Sequence, residues 1–148
     1  MIKNAVYRQK IFKILNFWLP PILWASAIFT VSSFSVGSSS EFYWKDFVIK
    51  KTAHIIEYGI LATLVYRALV NYGVLKRKAM IYACLVALLY GATDEFHQSF
   101  TPGRGPKVTD VAIDTAGASI FIFGIIGRLN KMPVFVQDVY KKLEIITV

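Results

Sequence analysis

The sequence predicts an all-α integral membrane bundle of four transmembrane helices, with the N- and C-termini on the cytoplasmic side. Three observations carry this prediction. Of the 148 residues, 55% are hydrophobic and 18% are charged, whereas ordinary soluble domains run to roughly 45–50% and about 25%. The apolar residues gather into four stretches, each close to the ~20 residues that cross a ~30 Å hydrocarbon core. The basic residues are segregated between the connecting segments. The same composition excludes a disordered chain, which could not contain so much apolar surface. A disulfide scaffold is excluded by the single cysteine, Cys84, and an ordinary soluble enzyme does not fit. The length suits one domain over residues 1–148.

The first stretch runs from about Phe17 to Phe34 without a charge, after Lys3, Arg8, Lys10 and Lys13. Ala25-Ser26-Ala27 looks like a signal-cleavage site. The apolar run continues through Ile28, Phe29 and Val31, which favours an uncleaved anchor. Pro20 and Pro21 fall in its first turn, where proline costs little. Phe42–Phe47 reads as a short amphipathic segment on the outer surface. The second stretch, about Thr52–Val70, carries His54, Glu57 and Arg67. The third, about Ala79–Phe96, is uncharged until Asp94 and Glu95. Its apolar character nearly all round argues against a buried helix of a soluble bundle, which should show a polar face. The fourth, about Val108–Gly127, carries Asp110 and Asp114 in its first turns, then the small residues Gly117, Ala118, Gly124 and Gly127. Such residues suit close helix contact in a membrane. The remainder, 128–148, reads as a cytoplasmic tail with an amphipathic helix.

Orientation follows from the Lys and Arg count. The N-terminal segment, Arg67–Lys78 and the tail hold twelve of the seventeen, whereas Ser35–Lys51 and His97–Lys107 hold five. The twelve belong inside. The net charge of +8 is then a topology signal. No nucleic-acid partner is expected, because no basic stripe is interleaved with exposed aromatics.

The carboxylates divide differently. Seven of nine (Glu41, Asp46, Glu57, Asp94, Glu95, Asp110 and Asp114) fall in outer loops or outer halves of spans. Acids contribute little to orientation, so topology does not require this. An acid near a helix centre costs about 2.5–3.5 kcal/mol on insertion scales. An ionisable group within a span is therefore read as functional by default. Helical spacing gathers these groups: His54 with Glu57, Asp94 and Glu95 with Gln98, Asp110 with Asp114 and Gly117 each make one stripe. The Pro- and Gly-rich segment Phe100–Pro106 makes a tight turn that would hold Arg104 over the cluster. Arg is a planar fork matched to carboxylate or phosphate. Arg104 either meets an anionic ligand or pairs with Glu95 or Asp110. Lys51 is either an interfacial lysine with its head in water or a second anion contact. Tyr58, Phe96, Phe100 and Trp44 read as interfacial aromatics. His97 reads as the end of the third span, with metal ligation as the other reading, and Cys84 as packing.

Three segments together are diagnostic: Lys51-Thr52-Ala53-His54-Ile55-Ile56-Glu57-Tyr58, then Thr93-Asp94-Glu95-Phe96-His97-Gln98-Ser99-Phe100-Thr101-Pro102-Gly103-Arg104, then Asp110-Val111-Ala112-Ile113-Asp114-Thr115-Ala116-Gly117. Their combined pattern resembles the VanZ-like family, over about residues 15–127. The family often has Asn where this chain has Asp114. Its members are small multi-span bacterial membrane proteins, and its founding member is associated with low-level resistance to the glycopeptide teicoplanin. The resemblance implies a cell-envelope protein and assigns no reaction.

The cluster Glu57, Asp94, Glu95, Asp110 and Asp114 outnumbers Lys51 and Arg104. Such a surplus in low dielectric requires bound protons, a cation, or structural pairing. The oxygen-rich set suits a divalent Mg²⁺, Mn²⁺ or Ca²⁺, with Asp110 and Asp114 as its ligands. His54, Glu57, Asp94 and Glu95 are the candidate catalytic residues, and Lys51, Gln98 and Arg104 the candidate substrate contacts. The expected activity is an outer-leaflet hydrolase or transferase acting on a lipid-linked phosphate, a cell-wall precursor or a phospholipid. The alternative is a non-catalytic binding module for a lipid headgroup or drug-like ligand. A proton-coupled transporter is a third reading, but no inverted repeat is visible.

Overall fold

The computed structural model describes residues 2–34, 43–101, 105 and 107–145. Four long helices run alternately up and down. They are α1 (Ile2–Ser32), α2 (Tyr43–Asn71), α3 (Lys76–Gln98) and α4 (Val108–Ser119). The helical path of α4 continues through a π-helical turn (Ile120–Ile125) and a 3₁₀ turn (Ile126–Lys131). A short helix, α5 (Val134–Lys142), follows after Pro133. Among the described residues there is no strand.

Four segments are long and apolar enough to cross a membrane: Val6–Ser32, Phe47–Asn71, Lys76–Gln98 and Val108–Lys131. Each is longer than the corresponding sequence-predicted span, although the first ends at Ser32 rather than Phe34. The polar residues flanking the apolar runs add turns that continue the backbone hydrogen-bond ladder beyond the hydrocarbon thickness. The expected surface segment at Phe42–Phe47 is therefore different. From Tyr43 onward it forms the first turn of α2, and Phe42 lies outside the described residues.

α2 is the central helix, packed on α1, α3 and α4. Its Tyr58, Leu61, Ala62, Val65, Tyr66 and Ala68 are buried. α3 meets its neighbours along Ala79, Ala83, Ala87 and Gly91, an i, i+4 stripe of small residues that lets helix backbones approach. The outward faces carry large apolar side chains such as Leu19, Ile22, Leu85 and Leu89, as a lipid-facing surface requires.

The loop between α2 and α3 ends α2 with a Schellman motif: Val74 N–H donates to Leu69 O and Gly73 N–H to Val70 O (both 3.1 Å). Gly73 adopts φ +86°, where the missing Cβ removes the steric penalty. The same motif closes α5, with Ile145 N–H on Tyr140 O (3.0 Å) and Glu144 N–H on Lys141 O (2.9 Å). Here the left-handed position, φ 54°, is held by Glu144, at a cost of about 1–2 kcal/mol for a residue with a Cβ. Arg67 offsets that cost. Its Nη2 donates to Glu144 Oε2 (2.9 Å), its Nε to Leu143 O (2.7 Å), and its Nη1 to Asn16 O (2.9 Å). Asn16 O needs such a donor because Pro20, four residues on, has no N–H. One guanidinium thus repairs the proline gap in α1 and fastens the C-terminal segment to α1 and α2. Arg67→Ala is expected to lower stability in detergent by about 2–3 kcal/mol, the scale of hydrogen bonds to a charged group, as read by thermal unfolding.

Candidate functional site

The start of α2, the end of α3, the start of α4 and the end of α1 meet at one end of the bundle, opposite the clasp made by Arg67. Two glycine positions allow the approach. At Gly117 a Cβ would lie 2.5 Å from Ile55 O and 2.7 Å from Ile55 Cα, so α4 presses directly on the α2 backbone. At Gly91 a Cβ would lie 3.3 Å from Asp114 Oδ2, and the small α3 surface makes room for that carboxylate.

This contact aligns the α2 and α4 stripes. Lys51 Nζ is ion-paired with Asp110 Oδ1. One turn deeper, His54 Nδ1 lies 2.9 Å from Asp114 Oδ1. Both pairs follow from matched spacing, i to i+3 on α2 and i to i+4 on α4, which puts each pair on facing stripes. Asp114 is 1% exposed, whereas the His54 side chain retains 21% exposure. His54 Nε2 makes no hydrogen bond among the described residues. The ring is thus oriented by a buried carboxylate at one nitrogen and open at the other.

α1 and α3 supply the second half. Ser32 Oγ donates to Asp94 Oδ1 (2.6 Å) and Gln98 Nε2 to Asp94 Oδ2 (2.7 Å). Both oxygens of a buried carboxylate are thereby satisfied, which an intramembrane acid requires. Glu95 Oε2 accepts from the Lys107 backbone N–H (2.7 Å). Lys107 is the residue before α4, so Glu95 fixes the α3–α4 connection.

Glu57 is placed differently. Its backbone carbonyl accepts the Trp24 indole N–H (2.9 Å). Its half-buried carboxylate has no hydrogen-bond or ion-pair partner among the described residues. Arg104 lies outside the described residues. The two partners considered for it in the sequence each have one oxygen held, Asp110 by Lys51 and Glu95 by the Lys107 amide. Lys51 is neither an isolated interfacial lysine nor free, being held by Asp110.

Tyr58 is a correction. It is not an interfacial aromatic but fully buried (0% exposed). Its ring lies parallel to that of His54, with 6.3 Å between centroids. Among the described residues its hydroxyl has no hydrogen-bond partner, and neither have Asp114 Oδ2, Glu95 Oε1 and His97 Nδ1. Each such group costs about 1–3 kcal/mol unless something meets it. All four lie at the end of the bundle that holds the His54–Asp114 pair. Phe96, Phe100 and Trp44 are exposed, as aromatics at an interface are. His97 stacks on Phe29 of α1, centroids 4.1 Å apart.

Asp110 and Asp114 are turned toward Lys51 and His54. Among the described residues no group of three or more His, Cys, Asp or Glu side chains is arranged to hold a metal ion.

Ser32 is a polar residue of this end that the sequence reading left out, and Tyr58 one that it placed at the membrane interface. Tyr58 had a signal, one helical turn beyond His54 on the same face. Ser32 had none, since a serine near the end of an apolar span is unremarkable.

Four membrane-length helices with a buried polar cluster at one end define a small multi-pass membrane protein. Residues 5–129 match the VanZ/LLP1 family model, and the chain belongs to that family. No curated protein and no solved structure matches it.

Proposed function

We propose that this VanZ-like membrane protein engages the phosphate-bearing headgroup of an envelope lipid at the outer leaflet and transfers a proton during chemistry on it. The reading rests on the His54–Asp114 pair. A carboxylate hydrogen-bonded to one imidazole nitrogen fixes the tautomer and leaves the other nitrogen as base. The buried partner stabilises the imidazolium that forms, the role an orienting Asp plays in hydrolytic triads. Lys51 stands one turn toward the bundle end and supplies a cation. Arg104, three residues before Lys107 in sequence, supplies a bidentate anion donor. Asp94, Glu95 and Gln98 hold the frame, and Tyr58 can donate to a ligand oxygen or water. The apolar outer faces accept the lipid chains. The outward orientation rests on the Lys and Arg distribution.

A specific observation favours the binding module as the second reading. Asp94, Glu95, Asp110 and Asp114 each have one or both oxygens committed to a partner inside the protein, an arrangement equally suited to holding a headgroup unchanged. Purified protein in nanodiscs, mixed with polyprenyl phosphates, polyprenyl diphosphates and phospholipids, separates the two by mass spectrometry. A product that disappears with His54→Ala supports chemistry. Retention of unaltered lipid supports holding. Neither product nor retention would overturn both. The family's association with teicoplanin supplies the cellular assay: expression of the chain is expected to lower teicoplanin susceptibility, and His54→Ala to remove that effect.

A further inference from the structure

The end of the molecule opposite the site carries a surface that the proposed function does not use. α5 lies beyond the family-matched residues. Apart from Val134, its apolar side chains cover one continuous arc of the helix. Half of that arc, Val136 and Tyr140, is partly buried, with Tyr140 packed against the core cluster. The other half, Phe135, Val139 and Leu143 at i, i+4 and i+8, is exposed at 71%, 50% and 53%. A helix whose apolar arc is shared between the bundle and the exterior needs an apolar medium on the exterior side.

Two further facts choose that medium. α5 begins three residues after the fourth span ends at Lys131, so it sits where that span leaves the hydrocarbon. The surroundings are basic: Arg128, Lys131, Lys141 and Lys142 flank the stripe. The two acids of this segment are paired, Asp138 with Lys141 (3.5 Å) and Glu144 with Arg67, which leaves Arg128, Lys131 and Lys142 as its surplus charge. An exposed apolar stripe bordered by lysines is the composition of a helix lying in a lipid interface, and its charge complements anionic headgroups. A protein partner would not require the lysines.

We propose that α5 is a monotopic foot, seated in the headgroup region of the anionic leaflet at this end of the bundle, with Phe135, Val139 and Leu143 in the acyl boundary. The Arg67 clasp sets its angle. Arg67 binds Leu143 O and Glu144 while Asn71 Nδ2 donates to Glu144 O (2.8 Å), and Ile145 is buried. The helix is therefore oriented before it meets lipid. The left-handed Glu144 belongs to the same device, because glycine there would relieve the strain but lose the carboxylate that Arg67 grips.

The test uses the full chain with Cys84→Ala and F135C carrying an environment-sensitive bimane. The protein is reconstituted in vesicles of phosphatidylcholine alone or with one-third phosphatidylglycerol. Phe135 is exposed, so the label does not disturb packing. The expected result is a blue shift, quenching by brominated acyl chains and at least threefold protection from aqueous iodide, all stronger in the anionic vesicles. K141Q/K142Q removes the difference between vesicles, and R67A reduces protection in both. Full iodide quenching in both vesicles would overturn the proposal. So would protection that ignores lipid charge and vanishes as the protein is diluted in the bilayer, which would assign the stripe to a second copy of the chain.

Discussion

His54→Ala is expected to lower turnover of the lipid substrate by about 10²–10⁴-fold, the usual contribution of a positioned general base. The protein should still insert, because the side chain is partly exposed, but with lowered stability, since Asp114 is left as a buried carboxylate without its partner. Asp114→Asn is the sharper variant. The amide is nearly isosteric and still reaches Nδ1, but it brings no charge to stabilise the imidazolium and can reverse the tautomer. A loss comparable to His54→Ala, with unchanged lipid retention, would place the pair in the chemical step. A loss of retention alone would place it in headgroup binding. Steady-state turnover and lipid retention on the same preparations distinguish these outcomes.

Gly117→Val is expected to have the largest structural effect. The added Cβ would meet the Ile55 backbone, at 2.5 Å from its carbonyl oxygen and 2.7 Å from its Cα. No rotamer change relieves a clash with backbone, so α2 and α4 must separate. Overpacking of this kind costs about 1–3 kcal/mol in a well-packed core. Separation also breaks Lys51–Asp110 and His54–Asp114 together, leaving buried charge unpaired. Loss of a monodisperse peak in detergent and of all activity is expected. Gly124→Val is the control. Its Cβ would find only Ile120, at 3.9 Å, and the variant should behave as the native chain. Equal tolerance of both would mean that α4 does not press on α2 as described.

These two predictions mark how much was legible in the sequence. The four spans were, because a bilayer imposes length and apolarity on any helix that crosses it. So was the grouping of Asp94 with Gln98 and of Asp110 with Asp114, since i+4 spacing fixes a shared face whatever the tertiary structure. Which acid meets which base was not, because that depends on the register between helices, and Gly117 sets that register through a contact no local pattern records. Tyr58 was misread for a related reason. A tyrosine near a span end fits an aromatic belt equally well, and only packing distinguishes a buried ring from an interfacial one. Small-residue spacing was read on the fourth span, but the equivalent Ala79–Ala83–Ala87–Gly91 stripe on the third was equally visible. The Arg67 clasp joins residues more than seventy positions apart, and its cause, the carbonyl freed by Pro20, appears only once the helices are placed.

The proposed function depends on the polar end facing the exterior. Labelling of intact cells with a membrane-impermeant maleimide tests this most directly, using Cys84→Ala chains that carry either S99C beside the site or K141C on α5. Both positions are exposed. The expected result is labelling of S99C in intact cells and of K141C only after lysis. Labelling of K141C in intact cells, with S99C protected until lysis, would turn the site toward the cytosol and contradict the account.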